Sequence, residues 1–337
     1  MSGGHGGVWS GRARSLMAVG AFAAAPLLVC ALVSADGGVS RPASGRVPVS
    51  SPVTPRPVLD ARLLNAKAAA AAKAVGALKK RGRFSRPLKI NNRMFPLVPG
   101  TEFVYRGRVV EGGESTPHSV VFTVTDLTKV VDHVRTVVAW DRDFLEGRLQ
   151  EQELAFFAQD DQGNVWNFGE YPEEYENGVF TGAPDTWIRG TAGAYGGIHM
   201  LARPRVGAQY LEGLVPGIGF NDVSRVVRTR QVTCVPTGCY RHVLVIDEWS
   251  PNEPESGIQV KYYAPRVGLV RVGARGGDSQ EFLTLAVVRH LDRHAMARVR
   301  AAVLAMDRRA YRVSTVYRVT GPAVRRCLPR KCHPTLR

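Results

Sequence analysis

The stretch from Gln159 to Tyr175 brings together side chains that could do chemistry. It runs QDDQGNVWNFGEYPEEY, so carboxylates and aromatic rings lie side by side in its second half. Oxygen ligands this close in sequence could hold Ca²⁺, and aromatic rings beside carboxylates also hold sugars or cationic ligands. The competing interpretation is a solvated loop that follows a strand, with Trp166 in the core. The segment contributes four candidate ligand-binding residues: Trp166, Glu170, Tyr171 and Tyr175.

The residues from Thr181 to Pro204 are rich in glycine and contain Trp187 and His199. This composition predicts a long loop, and long loops in compact domains are often functional. A lone histidine such as His199 is more often structural than catalytic. We expect a ligand groove between the acidic aromatic segment and this loop, with Trp187 and His199 among its residues.

Motifs that mark the common enzyme classes are missing from the sequence, which has no nucleophile elbow, HExxH, phosphate loop or dinucleotide glycine motif. The sequence therefore predicts no catalytic residue, no cofactor and no metal, and it favours a non-enzymatic binding or structural role. Two alternatives stay open. One is a hydrolase of an envelope polymer that uses Glu170 and Glu248 as acid and base. The other is a lipid carrier in which a curved sheet encloses an apolar cavity.

A group of charged residues in the second half of the chain could form a cluster on adjacent strands. Its members are Asp247, Glu248, Glu253 and Lys261. Cross-strand ion pairs at a sheet edge would explain the same residues equally well.

Apart from Cys30, the cysteines form two pairs with equal spacing, Cys234 with Cys239 and Cys327 with Cys332. Four thiolates could hold a zinc ion in tetrahedral geometry. Outside the cytoplasm, however, thiols tend to be oxidised, and the first pair flanks a Val-Pro-Thr-Gly turn that can bring its Cβ atoms together. We predict a local disulfide in each pair, with free thiols as an alternative for the second.

The N-terminal residues 1–35 have the features of an export signal. Arg12 and Arg14 precede an apolar run from Leu16 to Val33, and cleavage is expected after Ala35. The run is also just long enough to span a bilayer, so an uncleaved membrane anchor stays open. Either alternative places the rest of the chain outside the cytoplasm, secreted or anchored to the cell membrane by this segment.

The formal net charge of +16 is unevenly distributed along the chain. Residues 1–85 carry +10, residues 86–288 carry −5 and residues 289–337 carry +11. Because the expected folded part is acidic, no nucleic-acid partner is predicted. The basic flanks could instead contact anionic lipid or a cell-wall polymer, although solvated cations would explain them as well.

Composition separates three flanking parts from a central β domain at residues 86–290. These parts are a Pro/Ser-rich linker at 36–60, an Ala/Lys-rich helix at 61–85 and a basic helix and tail at 291–337. In the last part, apolar residues such as Val303 fall on one helical stripe, and Asp292 is the expected N-cap. The stripe predicts a helix that packs on the β domain, and an amphipathic helix on an anionic surface is the alternative.

Strand signals dominate residues 86–290. From His118 to Thr125 the side chains alternate in the period-2 pattern of a strand, and a further strand is expected from Val130 to Trp140. Gly112-Gly113 and Glu146-Gly147 provide turns. Nine or ten strands without a long helical period between them predict a mainly β fold. Its core would be a single large antiparallel sheet, strongly curved or barrel-like, with flanking N- and C-terminal helices.

Several motifs in order resemble a family of uncharacterised exported bacterial β-rich domains that includes predicted lipoproteins. They are FPLVPGT from Phe95, AQD and GNVWxFGE between Ala158 and Glu170, and KYYAP followed by VGL from Lys261. The resemblance implies an extracytoplasmic β domain without known activity, so no catalytic residue follows from it. This chain departs from the family pattern at Arg266, where glycine is usual, and in having Cys234 and Cys239.

Overall fold

A computed structural model describes residues 82–326. The predictions for the signal or anchor (1–35), the linker (36–60), nearly all of the Ala/Lys-rich helix (61–85) and the pair Cys327 and Cys332 lie outside the described residues. Within residues 82–326, no helix is long and apolar enough to cross a membrane.

The described residues form sixteen strands, one α-helix and three short 3-10 helices. The strands of the first half are β1 Thr101–Glu111, β2 Glu114–Val131, β3 Val134–Leu145, β4 Arg148–Gln159, β5 Val165–Glu176, β6 Val179–Gly182, β7 Trp187–Ile188, β8 Tyr195–Gly196 and β9 Ile198–Met200. The strands of the second half are β10 Gln209–Val215, β11 Phe220–Val235, β12 Gly238–Trp249, β13 Ile258–Ala264, β14 Gly268–Arg275, β15 Ser279–His290 and β16 Val324–Arg325. The helices are α1 Arg293–Val313 and the 3-10 turns Pro216–Ile218, Pro254–Ser256 and Val316–Val319.

All sixteen strands belong to one antiparallel sheet. Thirteen of them follow the order β6-β5-β4-β3-β2-β1-β15-β14-β13-β12-β11-β10-β8, while β7 and β9 pair with β5 and β16 pairs with β2. The sheet is not closed, so the barrel-like form is not adopted. Its two ends still approach each other, because Gly196 pairs with β10 while Ile198 and Met200 pair with β5. The predicted mainly β fold with one large antiparallel sheet is confirmed, and α1 is the C-terminal flanking helix.

The sheet curves strongly around Phe95. The Phe95 ring centroid lies 5.5 Å from that of Phe157 on β4 and 6.5 Å from that of Tyr263 on β13. These strands are six places apart in the sheet order, so only a bent sheet can bring both rings to one partner. We call the face that surrounds Phe95 the inner face and the opposite one the outer face.

The outer face is covered by α1. The helix packs its buried residues against Val138, Leu154 and Phe156 of the sheet, and the predicted apolar stripe contributes Met296, Val299, Val303, Met306 and Ala310. Asp292 Oδ1 accepts a hydrogen bond from the Ala295 amide at 2.7 Å, so the predicted N-cap is confirmed. The stripe thus buries against protein, as the packing interpretation requires.

The sequence predicted some of the turns between strands correctly and missed another. Gly112-Gly113 and Glu146-Gly147 join strands as predicted. The predicted strand from Val130 to Trp140 is wrong, because the chain turns at Asp132 and His133, with φ of 45° and 63°. Asp and His tolerate this conformation better than most residues but are a weaker signal than glycine. The count of nine or ten strands is also too low, because several strands of two to four residues carry no periodic pattern.

The predicted disulfide between Cys234 and Cys239 is present and joins the ends of β11 and β12. It closes a loop of only about six residues, so the chain-entropy estimate gives about 2 kcal/mol. We expect a Cys234→Ser/Cys239→Ser variant to unfold about 4–8 °C below the oxidised wild type. Thermal melts with and without reductant test this. Reductant should lower the wild-type melting temperature toward that of the variant, and an unchanged wild-type value would refute the prediction.

Candidate functional site

The inner face of the sheet is apolar near the middle of its strands and acidic toward one end. Near the middle of β3 and β4 it carries alanines, Ala139 and Ala155, which lie opposite each other. Toward the β3–β4 turn the same face carries carboxylates, because side chains two residues apart share a face. The register places Asp141 opposite Glu153 and Asp143 opposite Glu151. Like charges in such positions repel, so a row of four carboxylates needs neutralisation.

Further carboxylates reach the same end of the inner face from the neighbouring strands. Together they form what we call the acidic layer: Asp141, Asp143, Glu151, Glu153, Glu170, Glu212, Asp222, Glu248 and Glu281. Each of the nine is at most 9% exposed. The cationic side chains buried among them are Lys261 and His118. The layer therefore contains far more acidic than basic groups.

Lys261 supplies one positive charge of the layer. Its Nζ donates to Glu248 Oε1 at 2.5 Å. Burial by itself would lower the pKa of Lys261, but Glu248 and Glu212 outweigh it and raise that pKa. Burial and the nearby Glu212 raise the pKa of Glu248 to about 7, although Lys261 acts in the opposite direction. This pair confirms part of the predicted charged cluster, whereas Asp247 points to the outer face and pairs with Arg275.

His199 lies beside this pair but carries no charge at neutral pH. Burial, and then the charge of Lys261, lower its pKa to about 3. Its neutral Nδ1 lies 3.0 Å from Glu212 Oε2, to which it can donate, and Ser224 Oγ donates to the other oxygen of Glu212. The His199 ring also packs 4.3 Å from the Phe95 ring. His199 therefore fixes the orientation of Glu212.

Glu170 joins the layer through the glycine-rich loop. Trp187 Nε1 donates to its Oε2 at 2.7 Å, and Asn167 Nδ2 donates to Oε1. Burial raises the pKa of Glu170 to about 7, against the effect of these hydrogen bonds. The loop approaches closely because position 169 is glycine: a Cβ there would lie 2.7 Å from the Trp187 carbonyl oxygen. The acidic segment and the glycine-rich loop, between which a ligand groove was expected, thus contact each other directly through Glu170 and Trp187.

The six predicted ligand-binding residues do not form one groove. Glu170, Trp187 and His199 belong to the inner side, whereas Trp166, Tyr171 and Tyr175 face outward. Trp166 Nε1 donates to Asp160 Oδ2 at 2.8 Å. The outer tyrosines both donate to Glu173, which Arg309 of α1 holds through two hydrogen bonds of 2.6 Å. Of the competing interpretation, the burial of Trp166 in the core is confirmed, whereas the solvated loop is wrong, because β5 continues through Glu176 with most of its residues buried.

A bulge in β5 divides the predicted residues between the faces. Strict alternation from Val165 would place Tyr171 inward and Glu170 outward. Between Asn167 and Glu170 the strand β5 advances three residues while its partner β4 advances two. The extra residue exchanges the inward-facing and outward-facing positions beyond it. Gly169, with φ of 148°, lies in this bulge. The insertion therefore turns Glu170 into the acidic layer.

The glycine-rich loop also borders an open cleft of about 400 Å³. Trp187 forms part of the cleft wall, together with Val215, Gly217, Ile218 and residues 313–316. Among residues 82–326 no charged side chain lines it, and Thr186, Thr191, Ser314 and Thr315 contribute hydroxyl groups. The groove next to the loop is therefore uncharged and lies toward the end of α1, not over the carboxylates of β5.

Glu153 is the least compensated member of the layer. Its side chain is fully buried, and within the described residues neither carboxylate oxygen has a hydrogen-bond partner. Burial, and then Glu170 and Glu151, raise its pKa well above the usual range. The sequence analysis did not select Glu153 as a candidate site residue. The patterns Asp-x-Asp at 141–143 and Glu-x-Glu at 151–153 could have indicated it, because each places two carboxylates on one face of a strand. Acidic residues at period 2 on the buried face of a strand are rare without a partner.

His118 lies between two carboxylates of the layer. Its Nε2 lies 2.8 Å from Asp143 Oδ1 and its Nδ1 3.4 Å from Glu281 Oε1. Burial lowers its pKa, but Asp143 and Glu281 outweigh burial and raise it to about 9. The ring thus faces a carboxylate on either side.

Comparison with known proteins gives two distant structural similarities. A "putative exported protein with YmcC-like fold" from Bacteroides fragilis has 16% sequence identity and a TM-score of 0.32, and a "putative lipoprotein" from Parabacteroides distasonis has 14% and 0.29. Each match covers 59% of this chain and 99% of the other. Neither the family models nor the curated proteins compared with the chain match it. What the chain does has to follow from its own residues.

Proposed function

We propose that this chain is an exported, cell-envelope-associated β domain that acts by binding, without catalysis, and that its acidic layer takes up a cationic ligand. Export is supported by the signal-like residues 1–35 and by the disulfide between Cys234 and Cys239, because disulfides persist in oxidising compartments. The basic flanks would attach the domain to anionic lipid or a cell-wall polymer. Exposed arginines on α1 such as Arg298 and Arg308 are available for that contact.

The observation that carries the ligand proposal is the excess of buried carboxylates, with Glu153 at its centre. An ionised carboxylate in a protein interior costs several kcal/mol unless it is paired and hydrogen-bonded. Lys261 and His118 cannot balance the five glutamates whose pKa burial raises, which are Glu151, Glu153, Glu170, Glu212 and Glu248. The remaining charge must be removed by protons or balanced by a cation, and near neutral pH a cation that enters the layer would replace those protons.

The hydrolase alternative fits the site less well. Glu170 and Glu248 are each 2% exposed, and their oxygens already accept from Trp187, Asn167 and Lys261. An acid and base pair of a glycosidase must instead flank a bound polymer and a water molecule. The lipid-carrier alternative is disfavoured because rings such as Phe95 and Phe157 fill the apolar half of the inner face.

The stability of the folded domain should fall as the pH rises toward neutral, and a bound cation should reduce this fall. Glu170 and Glu248 keep their protons up to about pH 7 in the folded state, whereas carboxyls of the unfolded chain ionise near 4.5. The folded state therefore binds more protons, and stability falls as pH rises through this window, by about 3 kcal/mol per carboxyl. His199 acts in the opposite sense between about pH 3 and its ordinary pKa of 6.5. A cation that replaces the protons should reduce the fall.

The test is the melting temperature at pH 7.5 with calcium chloride, zinc chloride or spermidine, each compared with sodium chloride at equal ionic strength. At 100 times its dissociation constant, a bound cation should raise the wild-type value by about 5–10 °C. Glu153→Gln should be more stable than wild type without the cation and should gain less from it. The exposed Glu176→Gln is the matched control and should respond like wild type. If none of the three cations raises the melting temperature of wild type more than sodium chloride does, the proposal is wrong.

A further inference from the structure

We propose that the acidic layer contains a zinc site in which His118 Nδ1 and Glu281 Oε1 are ligands and Asp143 holds the second ring nitrogen of His118. This second proposal rests on the proposed function, since the zinc site lies in the same acidic layer. It adds the identity of the cation and the residues that select it. It would make the domain a carrier or sensor of a transition metal, or a domain stabilised by one.

The distances match two neighbouring ligands of one ion. His118 Nδ1 and Glu281 Oε1 are 3.4 Å apart. Two ligand atoms bound at about 2.0–2.2 Å with a tetrahedral angle lie about 3.3–3.6 Å apart. Ligand atoms of His118, Asp143 and Glu281 all fall within 4.8 Å of one another. The separation thus matches that of two ligand atoms on one ion.

Buried polar atoms without hydrogen-bond partners lie around the proposed zinc site. Within the described residues, His118 Nδ1, Asp143 Oδ2 and Gln259 Oε1 have no hydrogen-bond partner, and these residues are 3%, 2% and 6% exposed. Buried polar atoms are nearly always satisfied, so three in one neighbourhood need an explanation. A metal ion bound by His118 and Glu281 would bond directly to Nδ1, which accepts or donates no hydrogen bond within the described residues, and Asp143 Oδ2 and Gln259 Oε1 are available to water molecules on that ion.

The contacts around the two ligands are those that a metal site needs. A ligating histidine usually gives its other ring nitrogen to a carboxylate, which fixes the tautomer and ring orientation. His118 Nε2 lies 2.8 Å from Asp143 Oδ1. The second ligand is held in the same way, because Gln259 Nε2 donates to Glu281 Oε2 at 3.0 Å. Each ligand therefore has its own orienting residue on another strand.

The sheet brings these residues together across β1. His118 on β2 and Leu283 on β15 both lie opposite Gly107, and Glu281 is two residues before Leu283 on the same face. Because Gly107 has no side chain, nothing from β1 separates β2 from β15 at this level. One imidazole nitrogen and carboxylate oxygens without a thiolate suit zinc better than Ca²⁺ or Mg²⁺, which take oxygen ligands only.

The test is zinc binding by the full chain at pH 7.5, measured by competition with a chromophoric chelator. We expect wild type to bind one zinc ion that is lost or weakened at least 10–100-fold in His118→Gln and in Glu281→Gln. Asp143→Asn should weaken binding 10–100-fold, as expected for an orienting residue. The exposed His294→Gln is the matched control and should bind like wild type.

A second measurement covers variants that fail to fold. Wild type loaded with Co²⁺ should show visible absorption bands of a four-coordinate ion with nitrogen and oxygen ligands and without the intense thiolate bands that Cys327 and Cys332 would produce. Unchanged zinc affinity in the His118 and Glu281 variants, or thiolate bands in wild type, would overturn the zinc site. If calcium or spermidine stabilises wild type through Glu153 and zinc does not bind, the zinc site is wrong while the proposed function stands. If no cation binds, both are wrong.

Discussion

Replacing Lys261 with methionine is expected to destabilise the domain by about 3–5 kcal/mol, because it leaves buried carboxylates without their cation. Lys261 is 1% exposed and donates to Glu248, which is 2% exposed. Glu212 lies close enough to raise the pKa of Lys261 as well, so the one ammonium serves two carboxylates. Methionine has a similar length and apolar volume, and the loss can be attributed to the charge.

Urea unfolding at pH 7.5 measures the effect of the Lys261 substitution. Lys89→Met is the matched control, because Lys89 is exposed and its replacement should change stability by less than about 0.5 kcal/mol. Adding Glu248→Leu to Lys261→Met should recover much of the loss, since removing both members of a buried pair is often nearly neutral. An unchanged urea midpoint in the single variant would mean that Lys261 does not hold the layer together.

Lys129→Met is expected to release α1 and the segment after it from the sheet. Lys129 lies on β2, is fully buried and donates all three of its hydrogens. The acceptors are Asp307 Oδ1 at 2.7 Å, Tyr311 Oη at 2.9 Å and the Gly321 carbonyl at 2.7 Å. Its Nζ also lies 4.2 Å from the centre of the Tyr317 ring. A single side chain thus connects the sheet to the helix and to the residues that follow.

Hydrogen exchange at pH 7 measures the release of α1. Lys129 is charged at this pH, because its pKa, which burial lowers and Asp307 partly restores, is about 8. We expect a loss of about 3–5 kcal/mol, with the largest increase in exchange in α1 and β16. Arg308→Met changes an exposed cation on α1 and serves as the control. Wild-type protection of α1 in Lys129→Met would contradict the connecting role.

These two lysines illustrate why the buried charges were difficult to predict. Among residues 82–326 there are three lysines, and only Lys89 is exposed. Lysines are normally placed at the surface when a sequence is interpreted, because burying an unpaired ammonium is unfavourable. Their partners, Glu248 for Lys261 and Asp307 for Lys129, come from other elements. The sequence placed Lys261 in a possible cluster with Glu248, but the burial of both lysines and the pairing of Lys129 with Asp307 can be recognised only after the strands and the helix are in place.

Short sequence patterns specify the local structure of this protein. Alternating side chains predicted antiparallel strands, Gly112-Gly113 predicted a turn, and Asp292 with an apolar stripe predicted α1; the Val-Pro-Thr-Gly turn predicted the disulfide between Cys234 and Cys239. Each of these signals lies within a few residues, where backbone sterics and side-chain period decide the outcome.

Which side chains meet in the acidic layer depends on how the whole sheet folds. Asp141 and Glu153 become neighbours through strand register, and the bulge at Gly169 turns Glu170 inward and Tyr171 outward. A shift of one residue reverses the face of every side chain beyond it, and the sequence pattern does not mark such a shift. Because a charge is buried or solvated according to its face, the chemistry of this chain depends on register and curvature, which arise when the whole sheet assembles.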